Sequence, residues 1–205
     1  MPVITALQPR RGRVVNVFLG GSLAFSLGQE LARDAGLEVG QELHPSQVQE
    51  LLHQDLLRHA RDHALRLLSY RPRSEREVRE RLRRHPFPPE VVAQVAAQLR
   101  ERGLVDDRTF SRFWRESRER FSPRSRRVIE GELRQKGVDP ALAKEAASTL
   151  DEEALCLQAA RKKLPTLEAL PPESRRKKLI SFLRRRGFSW EVISRAVKAL
   201  DSLRG

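Results

Sequence analysis

Leu67-Leu68-Ser69-Tyr70-Arg71-Pro72-Arg73-Ser74-Glu75-Arg76-Glu77-Val78-Arg79-Glu80-Arg81-Leu82 is the stretch on which the fold turns. The residue before a proline avoids the α region and the proline cannot continue the hydrogen-bond ladder, so a helix ends at Tyr70-Arg71. Ser74-Glu75-Arg76-Glu77 has capping-box form: the serine oxygen is placed to accept from the Glu77 amide, and the glutamate to reach back. A second helix therefore begins at Ser74. Val78 and Leu82 give it a narrow apolar stripe, and Arg76, Arg79, Arg83 and Arg84 fall on its outer faces.

The same pattern returns. Phe121-Ser122-Pro123-Arg124-Ser125 lies about 51 residues after Tyr70-Arg71-Pro72-Arg73-Ser74, and at that offset Ile129 follows Val78, Leu133 follows Leu82, Pro140 follows Pro89, Leu142 follows Val91 and Leu150 follows Leu99. At an offset of about 50, Leu179, Leu183, Gly187, Val192, Ala196 and Leu200 repeat Ile129, Leu133, Gly137, Leu142, Ala146 and Leu150. A period in this range is the mark of a repeat architecture. Gly137 and Gly187 stand where a glycine closes a helix, whereas the first copy has Pro86 there. The third copy has a longer connector, Pro165 to Pro172. The expected fold is mainly α: three three-helix repeats at 56–105, 106–150 and 151–205, with an extension at 1–55.

Within the repeats, Val91, Val92, Val95, Ala96 and Leu99 define a helix stopping near Gly103. The next starts from Asp106 or Asp107, with Phe110, Phe113, Trp114 and Ser117 on one face. Upstream, a helix capped by Ser46 carries Val48, Leu51, Leu52, Leu56, Leu57, Ala60, Ala64, Leu67 and Leu68 into the corner. A short helix from Gln29 to Ala35 ends at Gly36. The β-rich runs Arg13–Leu19 and Ser22–Leu27, separated by Gly20-Gly21, predict a hairpin, and Val3–Leu7 a third strand across a Pro9–Gly12 turn. So small a sheet must pack on something else.

Composition agrees with thin helical layers. Of 205 residues, 39% are hydrophobic and 5% aromatic against 33% charged, which argues against a large α/β enzyme. The net charge is +13. Of 40 basic and 27 acidic residues, six and seven fall in 1–64, so 34 and 20 fall in 65–205. The basic surface belongs to the repeats and attracts polyanions. Seven of the basic residues are lysine. A GC-rich genome explains a surplus of arginine over lysine but not a net charge. The one cysteine, Cys156, excludes an internal disulfide and a cysteine-rich zinc site. No run approaches a membrane span, and Arg10-Arg11 is not followed by a signal-like apolar segment, so a cytoplasmic protein is expected.

No catalytic, cofactor-binding or metal-binding residue is expected. His59 and His63 are four apart near Asp55 and Asp62, but a third ligand and the HExxH glutamate are missing. Asp106-Asp107 reads as helix capping, Gly20-Gly21 lacks the Gly-Lys-Ser/Thr of a phosphate loop, and nothing in sequence activates Cys156. The basic clusters are Arg71, Arg73, Arg76, Arg79, Arg83 and Arg84; then Arg115, Arg118, Arg120, Arg124, Arg126, Arg127, Arg134 and Lys136; then Arg175, Arg176, Lys177, Lys178, Arg184, Arg185 and Arg186. Taken singly they are solvated helix faces; recurring on the second helix of each module, they describe a basic track. Tyr70, Phe121, Trp114 and Trp190 could stack on bases, but packing in the core or at the corners is the expected role of most of them.

Three segments carry a family resemblance. Leu68-Ser69-Tyr70-Arg71-Pro72-Arg73-Ser74-Glu75 through Leu82, Arg102-Gly103-Leu104-Val105-Asp106-Asp107 leading to Phe110 and Trp114, and Arg126-Arg127-Val128-Ile129-Glu130-Gly131-Glu132-Leu133-Arg134-Gln135-Lys136-Gly137-Val138 resemble, in order, the motifs of the RecX family, small bacterial regulators of the RecA recombinase. The resemblance covers about residues 56–205; the N-terminal hairpin resembles an extension that some members carry. It implies a tandem array bound in the groove of a RecA–single-stranded DNA filament, bridging protomers, suppressing ATP hydrolysis and strand exchange, and favouring disassembly, with no catalytic residue of its own. RecA and single-stranded DNA are the implied partners, with double-stranded DNA a further one and a monomer expected. Arg71, Arg73, Arg76, Arg79, Arg83, Arg84, Arg115, Arg118, Arg124, Arg126, Arg127, Arg134, Lys136, Arg184, Arg185 and Arg186 are the expected contacts, either to DNA phosphates or to acidic patches on RecA. The rival readings are a helix-turn-helix transcription regulator, with one arginine-rich helix in the major groove, and a scaffold that binds no nucleic acid.

Overall fold

Two consecutive positive-φ glycines, Gly20 at 57° and Gly21 at 85°, make the tight turn that the first hairpin requires. In the computed structural model, which describes residues 2–202, strands β1 (Ile4–Arg10), β2 (Val14–Leu19) and β3 (Ser22–Gly28) form an antiparallel sheet in that order. The expected outer limits of the first and last segments, at residues 1 and 203–205, lie outside the described residues.

The first connection differs from the expected Pro9–Gly12 turn. Pro9 lies inside β1, opposite Val15, and the chain turns at residues 11–13, with Gly12 at φ 90° and Arg13 at φ 62°. β1 is an edge strand, where a residue without an N–H costs no ladder bond. Ile4, Val15, Val17 and Leu27 bury the inner face of the sheet in one cluster with Leu31 and Ala32 of α1 (Gln29–Asp34), Leu37, Leu43 and Leu51. That cluster is the support that three strands alone lack.

The long helix α2 (Pro45–Tyr70) starts one residue before the expected Ser46 cap. Pro45 takes the first helical position, where its missing N–H is no loss, so His44 is the residue outside the helix. The His44 N–H donates to Gln47 Oε1 at 2.7 Å while its carbonyl accepts from Val48. Leu57, Ala60 and Ala64 of α2 are buried, and α2 packs on α4 (Pro89–Glu101), whose Val91, Val92, Val95, Ala96 and Leu99 are buried as the periodicity predicts. Between them in the chain runs α3 (Glu75–Leu82), burying Val78 and Leu82.

The remaining helices are α5 (Asp107–Phe121), α6 (Arg126–Gln135), α7 (Pro140–Ser148), α8 (Glu152–Lys163), α9 (Pro172–Arg185) and α10 (Trp190–Ser202), with a 3-10 turn at Leu164–Leu167. One apolar cluster runs from Phe110 through Ile129, Leu133, Ala143 and Leu150 to Leu179, Leu183, Ile193 and Leu200. The repeat positions Val78, Ile129 and Leu179, and Leu82, Leu133 and Leu183, are all buried, so the period has a packing cause. The fold is mainly helical. No helix among the described residues is long and apolar enough to cross a membrane.

The chain divides into two compact units, residues 1–70 with 78–102, and residues 71–77 with 103–205. The corner at 71–77 thus belongs with the later repeats, and the hydrogen bonds say why. Ser74 Oγ accepts from the Glu77 amide at 3.1 Å, as the capping box predicts, and donates to the Lys136 carbonyl at the tail of α6 at 2.6 Å. The Glu75 amide donates to Asp107 Oδ1 at 3.0 Å. Asp106 caps its own helix, accepting from the Arg108 and Thr109 amides, so the two aspartates serve different helices. The Glu77 carboxylate accepts two bonds from Arg71, at 3.0 and 3.3 Å, and one from Lys136 Nζ at 2.7 Å.

The next corner repeats the arrangement. Ser125 Oγ accepts from the Val128 amide, and its N–H donates to the Arg186 carbonyl at the tail of α9 at 3.0 Å. The glycine after each tail presses on the corner. A Cβ on Gly137 would lie 2.5 Å from Arg76 Cβ, and one on Gly187 2.3 Å from Val128 Cγ2. In the third repeat Arg175 stands where the serine would be, donating to the Glu168 and Leu170 carbonyls of the connector.

Gly137→Ala and Gly187→Ala should each lower Tm more than Gly103→Ala. All three have positive φ, worth about 1–2 kcal/mol against alanine, but Gly103 faces open space. The overlap at the junctions adds about 1–3 kcal/mol. Equal losses at the three sites would show that the glycines act through backbone conformation alone.

Burial alone would raise the Glu77 carboxyl, but hydrogen bonds and charge from Arg71 and Lys136 outweigh it and hold its pKa below the ordinary 4.5. A carboxyl depressed in the folded state adds stability that is present above pH 4.5 and is lost as pH falls through the lowered value. Glu77→Gln should therefore cost about 1.5–3 kcal/mol at neutral pH, the worth of a charged hydrogen bond. Thermal melts over an acid series should show the difference from wild type closing below pH 4.5.

Candidate nucleic-acid interface

Glu132, on the helix that follows the second corner, gathers cations inward. Its Oε2 accepts from Trp114 Nε1 at 2.8 Å and from Arg118 Nε at 2.6 Å, and its Oε1 meets Arg124 Nη1 at 3.0 Å. The Arg118 guanidinium also lies over the Trp114 ring at 4.5 Å, with Lys136 Nζ at 5.2 Å. Trp114 packs against the apolar cluster, as expected of a core aromatic.

Arg186 brackets the second corner, donating from Nη1 to the Pro123 carbonyl at 2.8 Å and to Ser122 Oγ at 3.1 Å, with its guanidinium over Phe182. Burial lowers its pKa first, and the charges of Arg124 and Arg118 lower it further. Arg115 donates to Thr149 Oγ1 at 2.8 Å.

The sixteen residues expected at the interface therefore sort into two groups. Arg71, Arg115, Arg118, Arg124, Lys136 and Arg186 are half-buried and spend their donors inside the fold. Arg73 and Arg79 are half-buried as well. Arg76, Arg83, Arg84, Arg126, Arg127, Arg134, Arg184 and Arg185 are exposed. Arg126 is tethered by Nε to the Leu150 carbonyl at 2.7 Å. In the second unit the exposed arginines of this set stand on or beside α6 and α9, with Arg76 on the first turn of α3; Arg83 and Arg84 follow α3 in the first unit. Lys162, on α8, donates to the Arg120 carbonyl and joins the basic residues near the second corner. It lies about 40 residues from that corner in the chain, and no local pattern marks it.

The aromatic expectation needs correction. Tyr70 is 84% exposed, Phe121 69% and Trp190 56%, so core or corner packing does not account for them. Tyr70 and Phe121 are the last residues of α2 and α5, and Trp190 is the first of α10, where a side chain leaves the buried stripe of its helix. Arg120 lies over the Phe121 ring at 5.2 Å and Arg184 over Trp190 at 5.8 Å.

The other candidates have local partners. His59 Nε2 is 3.3 Å from Asp55 Oδ2, and His63 packs against His85 with centroids 4.3 Å apart and rings tilted by 46°. No group of three His, Cys, Asp or Glu among the described residues is placed to hold a metal. Cys156 is buried, and burial, helped by the Glu152 charge, pushes its thiol pKa up to about 12, which removes thiolate reactivity at neutral pH.

Comparison with known proteins leads to one family. Models for the first, second and third three-helix domains of RecX match residues 60–99, 106–146 and 151–197. The regulatory protein RecX of Chlorobaculum tepidum is 42% identical over 139 residues, 68% of this chain and 86% of that protein. The regulatory protein RecX of Bacillus subtilis is 29% identical over 98% of this chain and 78% of its own length. Two crystal structures have the same fold: one of a regulatory protein RecX, with a TM-score of 0.70 over 97% of this chain and all of that one at 23% identity, and one of RecX from Lactobacillus salivarius, with 0.60 over 72% and 98% at 22%. With three family domains in order on three repeats, and a relative of this identity, the chain belongs to the RecX family of regulatory proteins.

Proposed function

We propose that this protein is a non-enzymatic regulator that binds in the groove of the RecA–single-stranded DNA filament and restrains its ATP hydrolysis, strand exchange and growth, acting in the cytoplasm in recombination, DNA repair and the SOS response. The observation that carries the reading is the set of exposed arginines recurring on the second helices of a RecX-family array. Arg76, Arg83, Arg84, Arg126, Arg127, Arg134, Arg184 and Arg185 meet the filament. Arg71, Arg115, Arg118, Arg124, Lys136 and Arg186 hold the repeats in place to present them. Guanidinium groups suit both partners, since their planar fork matches phosphate and carboxylate alike. The family match favours this reading over a helix-turn-helix transcription regulator.

Titrating the protein into a DNA-dependent RecA ATPase assay should give inhibition at less than one copy per several RecA protomers. Inhibition that appears only when the protein saturates the DNA would replace the filament mechanism with simple competition. Arg127→Glu, Arg134→Glu and Arg185→Glu combined should abolish inhibition with Tm unchanged. On bare single-stranded DNA, the salt dependence of log K should become shallower by about 0.7 for each phosphate that the variant no longer neutralises. Arg118→Ala, by contrast, should lower Tm.

A further inference from the structure

Phe121 is a strongly exposed aromatic set among the cations of a repeat corner. Leaving a large apolar side chain in water forgoes the stabilisation of burial, and the fold does this twice at the same place in its repeat, at Tyr70 and at Phe121. Packing within the chain does not explain the pair. Around Phe121 lie the Arg120 guanidinium over the ring, Lys162 on the Arg120 carbonyl, and Arg186 on the next two residues, Ser122 and Pro123. Arg118 and Arg124 share the single carboxylate of Glu132. Arg124 Nε is buried without a hydrogen-bond partner. The mutual repulsion of these guanidiniums is felt at Arg186, whose pKa is depressed by burial and by both neighbouring arginines. The corner thus offers an open π face beside cations that outnumber their acids.

We propose that the second corner is a nucleotide-stacking subsite for single-stranded nucleic acid, with one base on Phe121 and the adjoining phosphate on the exposed Arg120 and Lys162. Every base has a π face, so such a subsite tolerates any sequence, and a phosphate relieves the crowding of like charges. A duplex cannot use it without unstacking a base. The inference rests on the reading that the protein reaches the DNA of the filament, and it adds that bases as well as phosphates are touched. An acidic protein surface would need the arginines but not the ring.

The test compares two labelled oligomers of equal length, oligo(dT) and an abasic deoxyribose-phosphate chain, by fluorescence anisotropy with the full-length protein at fixed salt. Phe121→Ala should weaken oligo(dT) binding about tenfold or more, the worth of one stacked base, and leave the abasic chain unchanged. Phe121→Leu, which keeps the apolar bulk and loses the π face, should behave like alanine, and Phe121→Trp should restore binding with an added indole emission that oligo(dT) quenches. Equal loss on both oligomers, or none on either, overturns the subsite. RecA ATPase inhibition measured on the same variants separates the two ideas. Inhibition by a protein indifferent to Phe121 on oligo(dT) leaves the filament reading standing without the subsite. Phe121-dependent oligo(dT) binding without inhibition by the wild type leaves the subsite without the filament reading.

Discussion

The tail of each later repeat's second helix, closed by a glycine, sits on the serine corner of the repeat before it. Ser74 gives its hydroxyl to the Lys136 carbonyl and Ser125 its amide to the Arg186 carbonyl, while Gly137 and Gly187 allow the backbone to come within reach. A helix terminus leaves carbonyls without partners, and a helix start leaves amides without them. Here the tail carbonyl is satisfied at the repeat period, by a serine hydroxyl at the first junction and a serine amide at the second. The apolar stripes of α3, α6 and α9 are thin, and within the second unit the junctions act together with the apolar cluster that runs from Phe110 to Leu200. The ends of the series differ in kind: Pro86 replaces the glycine of the first repeat and Arg175 the serine of the third.

Charge in this protein divides between holding and reaching. Glu77 and Glu132 each collect cations that would otherwise repel, and each does so beside a corner. Arginine suits that duty because one guanidinium can satisfy a carbonyl, a hydroxyl and a ring face together, as Arg186 does. The inward arginines fix where the outward ones stand, and the repeats keep a surplus of cations over acids after the inward pairs are made. The exposed aromatics at the helix ends belong to the same outward set.

Much of this was legible from the residues in order. The proline corner, the capping serines, the buried positions spaced by three and four and the closing glycines are local features, set by which backbone angles and helix faces each residue type allows. The repeat period follows from them, because a pattern built from local chemistry can be compared with itself along the chain. The hairpin glycines and the buried face of α4 were legible for the same reason. Two boundaries were not. Pro9 sits in a strand because β1 has a neighbour on one side only, and Ser46 yields the cap position to His44 because Pro45 opens the helix.

That this is a mainly helical repeat protein with arginine-rich second helices can be read from the order of its residues, since periodicity, capping and composition act within a turn or two of chain. Long-range packing settles which arginines are spent inside and which face solvent, that Asp107 serves α3 as Asp106 serves α5, and that Tyr70, Phe121 and Trp190 stand open. Each of those outcomes hangs on where the rest of the chain comes to lie: Ser74 and Lys136 are 62 residues apart, Arg186 and Pro123 63, and nothing in either local stretch specifies the other.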